Sequence, residues 1–135
     1  MPMSKKKTIL VADNEEHVRE IFKEIGEEPF RSNFFGSGRG IEIIVAANVD
    51  EACLVLEDRP IDLILTDMII GSRSGSEIID FAKNLCPTPI LAAMSKEHSL
   101  RSSLEKDKIF FFEKPLSFSR VCGWMNSQLF GPVLN

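Results

Sequence analysis

Cysteine is scarce and shows no pairing pattern. Cys53, Cys86 and Cys122 are an odd number without a C-x-x-C pair, which argues against both a disulfide framework and a zinc site. They read instead as small apolar groups in a reducing cytoplasm. No stretch approaches the ~18 consecutive apolar residues of a membrane-spanning helix, and the first residues lack the apolar core of a secretory signal. A cytoplasmic protein without membrane insertion is expected. Positive charge is not in excess either: 16 Lys and Arg against 20 Asp and Glu give a net charge of -4, so direct nucleic-acid binding is not expected. The one cationic run, residues 5–7, reads as solvated, and residues 1–6 are expected to form a basic N-terminal tail. Tyrosine is missing altogether, and tryptophan occurs once, at Trp124.

What remains is an ordinary globular composition, 44% hydrophobic and 27% charged over 135 residues, which suits a single domain spanning residues 1–135. Five short, nearly all-apolar runs stand out: TILVA (8–12), IEIIVA (41–46), IDLILT (61–66), PILAAM (89–94) and KIFFF (108–112). Such runs suit parallel strands covered on both faces. Between them lie amphipathic segments. In the first, residues 15–27, Val18, Ile21, Phe22 and Ile25 share one helical face. Further helices are expected near residues 50–58, 75–85, 97–105 and 117–129, with Asp50 and Ser117 as N-terminal caps. Residues 31–40, RSNFFGSGRG, read as an extended surface loop between the first helix and the second strand. The alternation predicts an α/β fold, (βα)5, with right-handed crossovers and helices on both faces of a doubly wound five-stranded parallel sheet. Ligands of such sheets bind beyond the carboxyl ends of the strands.

Those ends carry Asp13 and Asn14 after the first strand, Asp67 after the third, Ser95 after the fourth and Lys114 after the fifth. Converging carboxylate and amide oxygens are hard ligands for a hydrated divalent cation, magnesium or manganese. One carboxylate can then act as nucleophile on phosphorus, and Asp67 is the choice. Lys114 and Ser95 would stabilise the charge that spreads over the phosphoryl oxygens.

At this point the residues match a family. FFEKPLSF, with Lys114 followed by Pro115, resembles the lysine-proline signature of the receiver domains of two-component response regulators. IDLILTDMIIGSRSG is similar to that family's strand, aspartate and loop, with Gly75 eight residues after Asp67. ILVADNEEHVRE aligns with the family's opening, placing Asp13 and Asn14 at its two acidic positions. The resemblance covers nearly the whole chain. It implies strand order 2-1-3-4-5, a cis peptide bond between Lys114 and Pro115, Asp67 as phosphoacceptor and the Ile69 carbonyl as a further metal ligand. It also implies a switch role for Phe111, three residues before Lys114. An ordinary core phenylalanine would occupy the same position. With no tyrosine, that switch has no phenolic hydroxyl.

Several departures leave alternatives open. Asn14 keeps an oxygen but removes a charge from the metal site. A one-residue slip would match Ala12 and Asp13 to the acidic pair instead. Gly71 stands where the family often has proline. Ser95, 28 residues after Asp67, is preferred over Met94 for the hydroxyl position because methionine cannot donate to a phosphoryl oxygen. Lys96 reads either as a solvated side chain or as a second cation near the phosphoryl group.

The resemblance implies a phosphorelay phosphoprotein. It would accept a phosphoryl group on Asp67 from a histidine kinase or histidine phosphotransfer protein and then change its binding to a downstream protein. Beyond limited autophosphorylation and autodephosphorylation at Asp67 it would not be an enzyme, and a monomer or weak homodimer is expected. No output domain is expected after the fifth helix, so the chain would act through its surface or be the receiver of something longer. The alternative is a degenerate receiver that binds partners without phosphorylation. A flavin binder shares the fold class but would need a hydroxyl- and glycine-rich phosphate loop after the first strand. Aspartate-nucleophile phosphohydrolases would need a second acid two residues after the first in their motif, which Asp13-Asn14-Glu15 matches poorly.

Overall fold

A computed structural model describes residues 6–36 and 38–131. The expected basic tail therefore lies outside the described residues except for Lys6. Strand β1, Lys7–Ala12, leads into helix α1, Glu16–Ile25, whose buried stripe is Val18, Phe22 and Ile25. A short helix α2, Phe30–Phe35, precedes β2, Ile41–Ala46, and α3, Val49–Asp58. Next come β3, Leu63–Asp67, and two very short strands, β4, Ile69–Ile70, and β5, Arg73–Ser74. Helix α4, Ser76–Lys83, and strand β6, Ile90–Ser95, follow. A single 3-10 turn, His98–Leu100, opens α5, Arg101–Lys106, before β7, Phe110–Glu113, and α6, Phe118–Phe130.

The main sheet has five parallel strands in the order β2-β1-β3-β6-β7. Ranked by chain position within that sheet, this is the expected 2-1-3-4-5. Alternate residues of each strand face opposite layers. Leu10, Ala12, Ile64, Ala93 and Phe111 pack with α3, α4 and α5 residues. Ile9, Val11, Leu63, Leu65, Met94 and Phe112 pack with α1, α2 and α6 residues. Every β3 residue is buried, as a central strand covered on both faces requires. No helix among the described residues is long and apolar enough to cross a membrane.

Two expectations need correction. Residues 31–35, read as the start of an extended loop over residues 31–40, belong to the helix α2. Its last residue, Phe35, is buried in the α1/α6 layer, and Arg39 beyond it donates to Asn126 (3.1 Å) and sits over the Phe130 ring. Tertiary packing makes this helix; six residues are too few to show a period. The cap of α3 is Asn48, whose side chain accepts the Glu51 N–H at 2.9 Å, while Asp50 lies inside the first turn. Ser117 does cap α6, accepting from Arg120 N–H.

Candidate functional site

Parallel pairing brings the carboxyl ends of the inner strands level. Ala12 stands beside Thr66, and Asp67 beside Met94, so the residues that leave β1, β3 and β6 emerge at one edge of the sheet. Lys114 joins them because its N–H donates to the Ser95 carbonyl (2.9 Å), extending the β6–β7 ladder to the lysine itself. The Lys114–Pro115 peptide is cis.

The Lys114 side chain is only 7% exposed and ends among three carboxylates. Its Nζ donates to Asp13 Oδ2 and Asp67 Oδ2, each at 2.8 Å, and to Glu15 Oε1 at 3.2 Å. Burial by itself would lower the lysine's pKa, but the hydrogen bonds and charges of Asp13 and Asp67 outweigh it and push the value above the ordinary one. Glu15 is shifted the opposite way: its hydrogen bond to Lys114 and the lysine's charge hold its carboxyl below the usual range.

The carboxylates of Asp13 and Asp67 are also fixed by backbone. Asp13 Oδ1 accepts the Glu15 N–H at 2.8 Å, and the Asp13 carbonyl accepts from Arg19 Nη1 at 2.9 Å. Asp67 Oδ1 accepts the Ile69 N–H at 3.1 Å. Ile69 starts the small antiparallel β4–β5 hairpin, in which Ile69 pairs with Ser74 and Ile70 with Arg73. Gly71 turns that hairpin at φ +64°, a conformation closed to proline, whose ring fixes φ near -65°. Gly75 serves a different need: a Cβ there would come within 2.0 Å of the Asp67 carbonyl oxygen.

The site opens into a cavity of about 410 Å³ whose lining includes Asn14, Glu15, Asp67, Ile69, Ser95 and Lys114. Ser95 Oγ accepts the Glu97 N–H at 3.0 Å, which leaves its hydroxyl proton to donate into the cavity. Met94, the alternative, is fully buried in the α1/α6 core. Ala12 is buried against α3 and α4, so the slipped register would put a core alanine at the first acidic position. Lys96 is exposed and reaches both this cavity and a neighbouring, more apolar one lined by His17, Ile21 and Phe118. Phe111 is 1% exposed, packed in the α3/α4/α5 core with the Arg101 guanidinium 5.0 Å from its ring centre.

Asp13, Asp67, Ser95 and Lys114 are therefore gathered as the sequence suggested. Asn14 is exposed at the cavity, and the carboxylate drawn into the cluster is that of Glu15, which sequence reasoning passed over. One carboxylate oxygen each from Asp13, Glu15 and Asp67 lie within 4.8 Å of one another. This hard-oxygen set fits a hydrated divalent cation, with Glu15 and Asp67 facing the cavity and Asp13 buried behind them.

No protein-family model matches the chain, and no curated protein matches it. Solved structures do. The receiver domain of the hybrid histidine kinase CckA is 22% identical with TM-score 0.68, the match covering 90% of this chain and 98% of that one. The response regulator TrrA from Thermotoga maritima, solved in complex with Mg(2+)-BeF, is 23% identical with TM-score 0.71 over 90% of this chain and 98% of that one. A two-component response regulator from Clostridium difficile reaches TM-score 0.74 at 18% identity, covering 92% of this chain and 96% of its own. The chain has the fold of response-regulator receiver domains, with Asp13, Asp67 and Lys114 joined by hydrogen bonds at the carboxyl edge of the sheet.

Proposed function

We propose that this protein is a phosphoacceptor receiver that takes a phosphoryl group on Asp67 from a histidine kinase or histidine phosphotransfer protein. The observation that carries the reading is the Lys114 ammonium 2.8 Å from the carboxylates of both Asp13 and Asp67, at a cavity that also holds Ser95. An Asp67 carboxylate oxygen attacks phosphorus; an acyl-phosphate O–P bond forms as the donor's N–P bond breaks, and the bonding pair returns to the donor imidazole. Asp13 holds Lys114 in place, Lys114 donates to a phosphoryl oxygen, and the Ser95 hydroxyl donates to another. The Ile69 N–H fixes the orientation of the Asp67 carboxylate, and Ile69 is the proposed carbonyl ligand. A magnesium or manganese ion held by Asp67, by Glu15 or Asn14 and by the Ile69 carbonyl, with the buried Asp13 behind them, would neutralise charge on the phosphoryl oxygens. The Mg(2+)-BeF complex of the similar TrrA supports that choice of ion. Binding to a downstream partner then shifts with phosphorylation.

Incubation with acetyl phosphate or phosphoramidate and magnesium should add one phosphoryl mass, lost in Asp67→Asn. A second reading, a partner-binding module independent of phosphorylation, draws on the uncharged Asn14 and on Phe111, which is already buried. A folded protein that gains no mass while a control receiver labels would favour it.

A further inference from the structure

Lys114 carries three N–H donors, and three carboxylates take them all. An anionic oxygen arriving on Asp67 therefore finds no free proton on the lysine until one of these partners leaves. The three differ in how tightly they are held. Asp13 is fully buried, its second oxygen occupied by the Glu15 N–H. Asp67 is nearly buried, its second oxygen occupied by the Ile69 N–H. Glu15 has the longest contact, 3.2 Å, its side chain is 42% exposed, and its carboxylate sits on a two-carbon stem free to rotate. It also faces the cavity, where the neighbouring Asn14 brings no charge.

Resting on the reading of Asp67 as a cation-assisted phosphoacceptor, we infer that Glu15 is an exchangeable carboxylate shared between Lys114 and the divalent cation. In turning to the cation, Glu15 releases one Lys114 N–H to the anion on Asp67. Glu15 thus makes good the charge missing at Asn14, and its movement links the two binding events. A side chain that serves the cation only by leaving the anion's donor makes each ligand tighten the other, by the reciprocity of linked equilibria.

The test is calorimetric titration with magnesium alone, beryllium fluoride alone, and beryllium fluoride at saturating magnesium, for wild type, Glu15→Gln and Asn14→Asp. The glutamine is nearly isosteric and can still accept from Lys114, but it is a poorer cation ligand. In wild type, magnesium should tighten beryllium fluoride binding by about tenfold or more, within the usual range of such couplings. Glu15→Gln should weaken magnesium binding several-fold and reduce the coupling several-fold, leaving the part that comes from direct attraction between cation and anion, with an unchanged circular dichroism melt. Asn14→Asp should strengthen magnesium binding. Wild-type affinities and coupling in Glu15→Gln would overturn the role of Glu15 and leave the phosphoacceptor reading standing. A wild-type protein that binds neither magnesium nor beryllium fluoride would overturn both.

Discussion

The thiol of Cys122 shows how far a single side chain can make stability depend on pH. It is fully buried in the α1/α6 core, and burial pushes its pKa up from about 9 to about 12. A group whose folded value is raised contributes stability that is complete below the unfolded value and is lost as pH rises through the folded one. Urea unfolding should therefore show a loss attributable to Cys122 between pH 9 and about 12, roughly 2–3 kcal/mol by pH 11 at about 1.4 kcal/mol per unit. Comparing wild type with Cys122→Ala at pH 8 and pH 11 isolates it, because the cavity cost of the alanine is the same at both. At this scale the sequence was informative wherever a residue's place after a strand decided its position, as for Asp67, Ser95 and Lys114, which meet at one cavity. Glu15 escaped notice because in the sequence it is simply the first of two glutamates opening a helix. Only the direction of its side chain takes it to the lysine.

Among the elements, the β4–β5 hairpin controls how Asp67 is presented. Arg73 ties it down, donating from Nε and Nη2 to Glu77 (3.1 and 2.7 Å) and from Nη1 to Asp50 (2.8 Å), thereby joining the hairpin to α4 and α3. These pairs are exposed, so their worth in global stability is small, below about 1 kcal/mol. Their effect should be local. In Arg73→Ala, amide hydrogen exchange at Ile69 and Ile70 should quicken clearly while the α1 amides keep their protection; equal rates in both proteins would remove Arg73 from this role. The hairpin was hidden in the sequence because two-residue strands have no alternation to read. The same limit concealed α2, whereas α1 and α6 were legible from an apolar stripe that repeats over two or more turns.

For the molecule as a whole, one sheet forms the floor of two hydrophobic layers, and neighbouring β3 residues serve different ones: Ile64 faces α3, α4 and α5, Leu65 faces α1 and α6. Neither layer can be lost without exposing the strands of the other, so unfolding should be a single transition. Ile64→Ala and Leu65→Ala should each lower it by about 2–5 kcal/mol. Circular dichroism and the fluorescence of Trp124, which packs on Phe110 and Phe112, should give coincident curves in both variants. Separate midpoints would show that the layers unfold independently. The doubly wound parallel sheet was legible because five apolar runs alternate with amphipathic segments, whereas the strand order followed only from the family resemblance.

Strand β7 is hydrogen-bonded in the sheet to β6 alone among the described strands, and the Lys114 N–H makes the last bond of that ladder. Fraying of this outermost seam would withdraw the ammonium and leave Asp13, Glu15 and Asp67 repelling one another. The pocket would come apart while the central strands stayed zipped, so its integrity is set by the most weakly fastened margin of the fold and not by the depth of the core.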